Sequence, residues 1–334
     1  MDSTAPRARA RGYRALLALP LVALFVVALA PPLAAQAADG ASWSVAPQAE
    51  ADGTPRPRFE YAVEPGQVVA DAFQVRNDGA APLTLAIYAS DAFTTREGNI
   101  DLLPAGEPAT DAGSWVSLDA AQVVLQPGET ATVPFSLGIP ADARPGDHTA
   151  GIVASLTSDD PEAQVQVDRR LGSRMYIRVA GELAPAVEVS AVSVDYSGMW
   201  NPLALGELTA TYSLRNTGDT RVTAVTSLDV SGPFGAAAAS TSELQLNEVL
   251  PGSEIDVTQQ LSGVGALLWL TGAVDVRPSS VGLGAGPLEA VEETFSIAAV
   301  PVALLLILLG VALIVVAIVV VVRRRGGKAR ASAR

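Results

Sequence analysis

Twenty-six consecutive residues, Ile297–Val322, carry no charge and are almost all aliphatic, and Arg323, Arg324 and Arg325 follow at once. Such a stretch has few conformations open to it. In hydrocarbon every backbone N–H and C=O must be satisfied inside the segment, which leaves a helix. At 1.5 Å per residue the helix is about 39 Å long, more than the ~30 Å apolar core of a bilayer. We therefore read 297–322 as a transmembrane helix. The tail 323–334 adds Lys328, Arg330 and Arg334 and contains no acid. Positive charge beside a span favours the cytoplasmic side.

The start of the chain carries a matching signal. Arg7, Arg9, Arg11 and Arg14 precede an apolar run, Ala15–Ala30, and Ala35-Gln36-Ala37 places small residues at the −3 and −1 positions of a cleavage site. This pattern predicts a secretory signal peptide over 1–37. The expected topology is a single-pass cell-membrane protein with its N-terminal domains outside and its C-terminus in the cytoplasm. The exterior then holds 12 basic residues, all Arg, against 34 acids, a balance of −22. That balance disfavours nucleic acid, which needs clustered positive charge. The chain has no cysteine, so an exported domain must fold by burying a core rather than by stapling. About 260 exterior residues suffice for two domains.

The exterior reads as strands and turns. Phe59–Val63 alternates and breaks at Pro65-Gly66; Ala72–Val75 leads into Asn77-Asp78-Gly79; Thr130–Leu137, His148–Leu156 and Met175–Val179 continue the β pattern. The second half repeats the first. Phe73-Gln74-Val75-Arg76-Asn77-Asp78-Gly79 is echoed 139 residues later by Tyr212-Ser213-Leu214-Arg215-Asn216-Thr217-Gly218, and Leu125-Gln126-Pro127-Gly128-Glu129 by Leu250-Pro251-Gly252-Ser253-Glu254. Two matched landmarks in the same order predict one fold used twice. Short strands with frequent turns predict an all-β chain of two tandem immunoglobulin-like β-sandwich domains plus one C-terminal transmembrane helix. The expected divisions are a flexible leader over 38–57, sandwiches over 58–182 and 183–296, the helix over 297–322 and a basic cytoplasmic tail over 323–334. Leu288–Ser296 reads as a last strand feeding almost directly into the membrane.

The residue types argue against catalysis. His148 is the only histidine, and its place after Arg144-Pro145-Gly146 predicts a structural role at a strand start. A nucleophile–histidine arrangement would have to use it. Zinc and copper sites need several His or Cys ligands, and no metal or cofactor is expected. An EF-hand loop and phosphate-binding glycine loops are also absent, although the many acids leave calcium open. Trp115 and Trp269 are expected in the cores. Trp43, in the leader, and Trp200, before Asn201-Pro202, are read as exposed, and Trp200 is a candidate for stacking on a ligand.

The segment from Phe59 to Leu156 resembles the peptidoglycan-binding domain of the WxL-interacting proteins of Gram-positive cell surfaces. The resemblance rests on Glu64-Pro65-Gly66-Gln67, on Val75–Gly79, on Ala89-Ser90-Asp91-Ala92-Phe93-Thr94-Thr95 followed by Glu97-Gly98-Asn99-Ile100, on the Gln126–Glu129 turn, and on Ile139-Pro140 followed by Gly146 and Gly151-Ile152. The middle segment departs from the family pattern in having Asp91 and Thr95 where Asn is usual. The Ala- and Arg-rich composition points to an actinobacterial relative. The resemblance implies peptidoglycan as a ligand of the first domain and a secreted WxL-type surface protein as a partner.

These readings converge on a non-catalytic, membrane-anchored binding or adaptor protein. The candidate hydrogen-bonding residues are Asp91, Thr94, Thr95, Glu97 and Asn99, expected on a loop after the third strand, with Trp200 apart from them. The alternatives are an assembly chaperone or secretion-complex subunit that accepts a client on an open strand edge, and a wall glycosidase built on a carboxylate pair.

Overall fold

Alternation of buried and exposed side chains builds eighteen strands among the described residues. The computed structural model describes residues 41–157, 168–201, 204–282 and 284–331; the expected signal peptide lies outside them. The first sandwich contains β1 (Trp43–Pro47), β2 (Phe59–Val63), β3 (Val68–Asn77), β4 (Leu83–Thr94), β5 (Ile100–Leu102), β6 (Val116–Leu118), β7 (Gln122–Leu125), β8 (Thr130–Gly138), β9 (Gly146–Thr157) and β10 (Asp168–Val179). One of its sheets runs β1-β3-β8-β6, the other β2-β10-β9-β4-β5 with β7 also on β4. Among the described strands only β2 and β10 pair in parallel. The second sandwich contains β11 (Val187–Tyr196), β12 (Gly206–Asn216), β13 (Val222–Ser231), β14 (Ala239–Ser240), β15 (Leu244–Gln245), β16 (Glu254–Val264), β17 (Leu268–Ser280) and β18 (Val291–Ala299). Its sheets run β11-β12-β16 and β14-β13-β17-β18, with β15 also on β13.

Each sandwich has its own core. Phe59, Phe73, Leu85, Leu137, Ile152 and Ile177 fill the first; Leu208, Tyr212, Leu214, Leu228, Leu270 and Val274 fill the second. Each large apolar side chain so buried contributes roughly 1.5–3 kcal/mol relative to exposure. The chain crosses from one core to the other between Val179 and Val187, where Gly-Glu-Leu-Ala-Pro interrupts the strand pattern.

The repeated motif is a repeated hydrogen-bond device. Asn77 Nδ2 donates to the carbonyls of Ala81 (2.8 Å) and Leu125 (3.1 Å), while its Oδ1 accepts from Gly79 N–H (2.9 Å). Asn216 Nδ2 donates to the carbonyls of Thr220 (2.7 Å) and Val249 (3.0 Å), while its Oδ1 accepts from Gly218 N–H (3.1 Å). Gly128 N–H donates to the Asn77 carbonyl and Gly252 N–H to the Asn216 carbonyl. Val249 is thus the counterpart of Leu125, and the true correspondence of the Pro-Gly turns is one residue off the sequence alignment. Both asparagines are fully buried, where an amide is tolerated because every polar atom has a partner.

Three expectations change. The stretch read as a flexible leader contains β1, which pairs with β3 through five residues and buries Trp43. The same stretch is clamped by Arg56, whose guanidinium grips the Asp71 carboxylate through two bonds of 2.8 and 2.9 Å. Tyr61 Oη donates to the same carboxylate at 2.6 Å. Burial opposes the Asp71 charge, but these donors outweigh it and hold its carboxyl below the ordinary range. Second, Ile297–Ala299 belong to β18, and the helix α1 (Val302–Ala331) starts after a two-residue link. Within it, Val302–Val321 is long and apolar enough to cross a membrane, and none of its best apolar stretch is buried inside the protein. Third, Trp269 lies at the start of β17 and is 46% exposed rather than in the core.

Candidate functional site

The segment expected to carry ligand-binding groups lies where the two sandwiches meet. Asp91 and Thr94 are part of β4 rather than of a loop. The Asp91 carboxylate accepts the backbone N–H groups of Thr110 (2.6 Å), Asp111 (2.9 Å) and Gly113 (2.7 Å), so it holds the following chain in place. Thr94 is buried against the second sandwich: its N–H donates to Ser253 Oγ (3.2 Å) and its Oγ1 accepts from Leu250 N–H (3.0 Å). Thr95 and Asn99 close a tight turn, with Thr95 N–H donating to the Asn99 carbonyl and Gly98 in the left-handed region at φ 82°. Glu97 projects from this turn, and the Thr95 hydroxyl holds its carboxyl below the ordinary value. Trp200 is far from the other five, at the opposite end of the second sandwich, and 70% exposed.

Arg96, which the sequence reading passed over, makes the main contact of that turn with the second sandwich. Its guanidinium donates to Glu254 (2.8 Å) and Asp256 (3.3 Å), and its carbonyl accepts from Asp256 N–H at 2.8 Å. Asn247 Nδ2 donates to the Gly98 carbonyl at 3.3 Å. Between the turn and β15–β16 runs a groove of about 190 Å³, walled by Glu97, Gly98, Leu246, Ile255 and Thr258. That is smaller than the ~300–1,000 Å³ of typical small-molecule pockets. It opens onto β16.

Strand β16 is an edge. It pairs with β12 from Arg215↔Glu254 to Glu207↔Ser262 without interruption, and no strand covers its other side among the described residues. Because Asp256 N–H points outward to Arg96, the alternation of an antiparallel ladder also turns the N–H and C=O of Thr258, Gln260 and Ser262 outward. Their side chains are exposed and uncharged, while Ile255, Val257 and Leu261 fill the core. Glu254 and Asp256 lie at the start of β16 and a register shift follows Ser262, so its plain stretch is 257–262; the other long edges carry bulges and charge too. β11 is broken by a register shift near Ala191 and bears Glu188 and Asp195; β18 bears Glu292 and Glu293; β1 has five residues and ends at Pro47.

Across the same junction lies a buried ion cluster. The Asp147 carboxylate, 1% exposed, accepts from the Arg178 guanidinium and from Arg221 N–H. Arg221 donates to Glu248 at 2.9 Å and stacks over the Tyr176 ring at 4.0 Å. Asp147, Arg178 and Tyr176 come from the first sandwich, Arg221 and Glu248 from the second. Gly146 has φ 124°, and a Cβ there would collide with the Asp219 carbonyl, so only glycine permits this approach. His148 borders the same crevice. Its Nδ1 lies 2.8 Å from Asp111 Oδ1 and its Nε2 2.9 Å from the Arg144 carbonyl. Both partners are acceptors, an arrangement that favours the imidazolium, the form in which both ring nitrogens donate. Burial disfavours the imidazolium, but these two acceptors outweigh it and raise the pKa above its ordinary value. Among the described residues no group of three His, Cys, Asp or Glu is placed to hold a metal ion.

The structure defines a class: two tandem immunoglobulin-like sandwiches, joined by hydrogen bonds and ion pairs across their junction and followed by an apolar helix. No family model matches the sequence, and no curated protein matches it. Among solved structures the chain is similar to the class 5 fimbriae chaperone CfaA, at 9% identity over 76% of this chain and 98% of that one, with a TM-score of 0.34. It is similar also to the Pseudomonas aeruginosa CupB2 chaperone, at 13% identity over 73% and 98%, with a TM-score of 0.29. A chain of the CsuC–CsuE chaperone–tip adhesion subunit complex of Acinetobacter baumannii matches at 11% identity over 65% and 89%, with a TM-score of 0.32. Likenesses this distant say nothing about what this chain binds.

Proposed function

We propose that the chain is a membrane-anchored, non-catalytic binding protein whose second sandwich takes up an extended segment of a partner protein along the free edge of β16. The observation that carries this reading is the outward row of N–H and C=O groups at Thr258, Gln260 and Ser262, on the uncharged, evenly paired stretch 257–262 of an open edge. An added strand would satisfy these groups and draw affinity from main-chain hydrogen bonds, with side-chain pockets setting specificity. The groove beside Glu97 and Gly98 gives the segment a place to enter. In this scheme α1 spans the membrane, its basic end lies in the cytoplasm, and both sandwiches face outward. The sole histidine supports a non-catalytic role, since both of its ring nitrogens are bonded within the protein.

This reading ranks above wall glycan as the ligand for a stated reason. Recognition of the glycan implied by the resemblance through the five candidate polar residues would need their hydrogen-bonding groups free, and those of Asp91 and Thr94 are already engaged within the protein. The test uses full-length protein in its native membrane with a photo-crosslinking residue at Thr258. We expect crosslinks to an extended segment of a protein partner. Gln260→Pro, which removes an outward N–H and leaves the ladder to β12 intact, should lower the yield at least tenfold. An undiminished yield in Gln260→Pro would overturn the edge as the site. Retention on insoluble peptidoglycan that is equal for both proteins would instead favour wall glycan.

A further inference from the structure

The second sandwich has one end built unlike the rest of the exterior. Strand β18 reaches Ala299 beside Leu268, the first residue of β17, and α1 begins at Val302. The described parts of the turns at this end are 197–201 with 204–205, 232–238 and 265–267. Trp200, Leu205, Phe234, Leu268 and Trp269 are exposed here, by 70, 68, 106, 49 and 46%. No Asp, Glu, Lys or Arg occurs in 197–206, 230–242, 257–274 or 294–322. On an exterior with 34 acids, that gap covers every turn at this end and none at the other. Exposed apolar side chains gathered on one surface mark something that covers them.

The backbone supplies a second, independent sign. Four non-glycine residues among those described have positive φ, and three are at this end: Phe234 (58°), Ala237 (48°) and Leu268 (76°). Bulky residues are held in the left-handed region only where the surroundings require it. Here the effect is to push Phe234 fully into the open on an uncharged Gly-Pro-Phe-Gly tip. The helix is also continuous with this surface, since Ala303 N–H reaches the Met199 carbonyl at 3.4 Å.

We infer that this end of the second sandwich is a membrane-seating collar: the three turns dip into the outer interface of the bilayer, with the indoles of Trp200 and Trp269 at headgroup depth. The inference rests on α1 spanning the membrane, and it commits to lipid as the occupant. The span begins two residues from the strand, so these turns lie at the bilayer surface. Tryptophan favours the headgroup region because its ring is apolar and its N–H is wet. A charge-free rim avoids burying an ion there.

The test is lipid quenching of tryptophan emission. Full-length protein is reconstituted into phosphatidylcholine vesicles, with or without lipids brominated high on the acyl chain, and floated on a density gradient. We expect the floated protein to lose emission in brominated vesicles, by a share set by two of its four tryptophans. The loss should shrink in Trp200→Phe and in Trp269→Phe and vanish in the double variant. Floated protein whose emission ignores bromine, or whose quenching survives in the double variant, overturns the collar while leaving the anchor intact. Emission that shifts with protein-to-lipid ratio but not with bromine assigns the surface to a second copy and overturns it equally. Protein that fails to float removes the anchor and the collar together.

Discussion

At the junction end, the second sandwich meets the first through Asp147, Arg178, Arg221 and Glu248 and through a row of directed hydrogen bonds. At the helix end, the same strands turn through segments without a single charge and leave five large apolar side chains uncovered. The difference teaches that polarity here is organised along the strands as well as across them. Alternation decides which side chains enter the core, and position along the strand decides what the rest can meet. Charge at the junction fixes one orientation of two protein bodies, because paired ions are tolerated only in one geometry. The apolar end makes no such demand, because hydrophobic burial is non-directional.

If the contrast holds, substitutions at the two ends should differ sharply. Asp147→Ala should have the largest effect, since it leaves Arg178 and Arg221 facing each other around an empty position. The expected loss is ~3–5 kcal/mol, read from denaturant unfolding of the full chain; a loss below about 1 kcal/mol would show that the junction does not hold the sandwiches together. His148 should come next, and with a pH signature. Its folded pKa is raised, so its contribution to stability is fully present below about pH 6.5 and is lost as pH rises through the folded pKa. His148→Gln should cost about 1.5 kcal/mol in acid and progressively less in alkali; a cost that is flat with pH would refute the charged pair with Asp111. Phe234→Ser should have the smallest effect on folding, within about 0.5 kcal/mol of zero, because no part of the protein covers the ring. A clear destabilisation there would mean that the helix end has structural contacts of its own.

Much of this architecture could be read from residue order. Alternation placed β2 to the residue, located most of β8 and β9, and caught only a part of β3 and of β10. The Arg-Asn-x-Gly echo marked a real device, because an asparagine satisfying two carbonyls and a glycine N–H needs those residue types at that spacing. Other features were hidden for physical reasons. β1 has five residues in an Ala-, Pro- and Gly-rich stretch, and it is held by pairing with a distant strand that local pattern does not reveal. The role of Thr94 depends on Leu250 and Ser253, more than 150 residues away. Trp269 sits in an apolar run, Leu267–Leu270, that reads as core until the position of the helix shows which end of the sandwich it occupies. The edge status of β16 is a property of the sheet order and has no local signature at all.

The two-residue link between β18 and α1 has a mechanical meaning. Val300 and Pro301 leave no slack, and Pro301 fixes its own backbone torsion. A tilt or twist of the helix therefore has to be followed by the strand above it, and by the sheet to which that strand is laced through nine paired residues. In the proposed scheme the rod and the second sandwich act as one lever, so that a small change of angle at the base would sweep the far sandwich through a much wider arc.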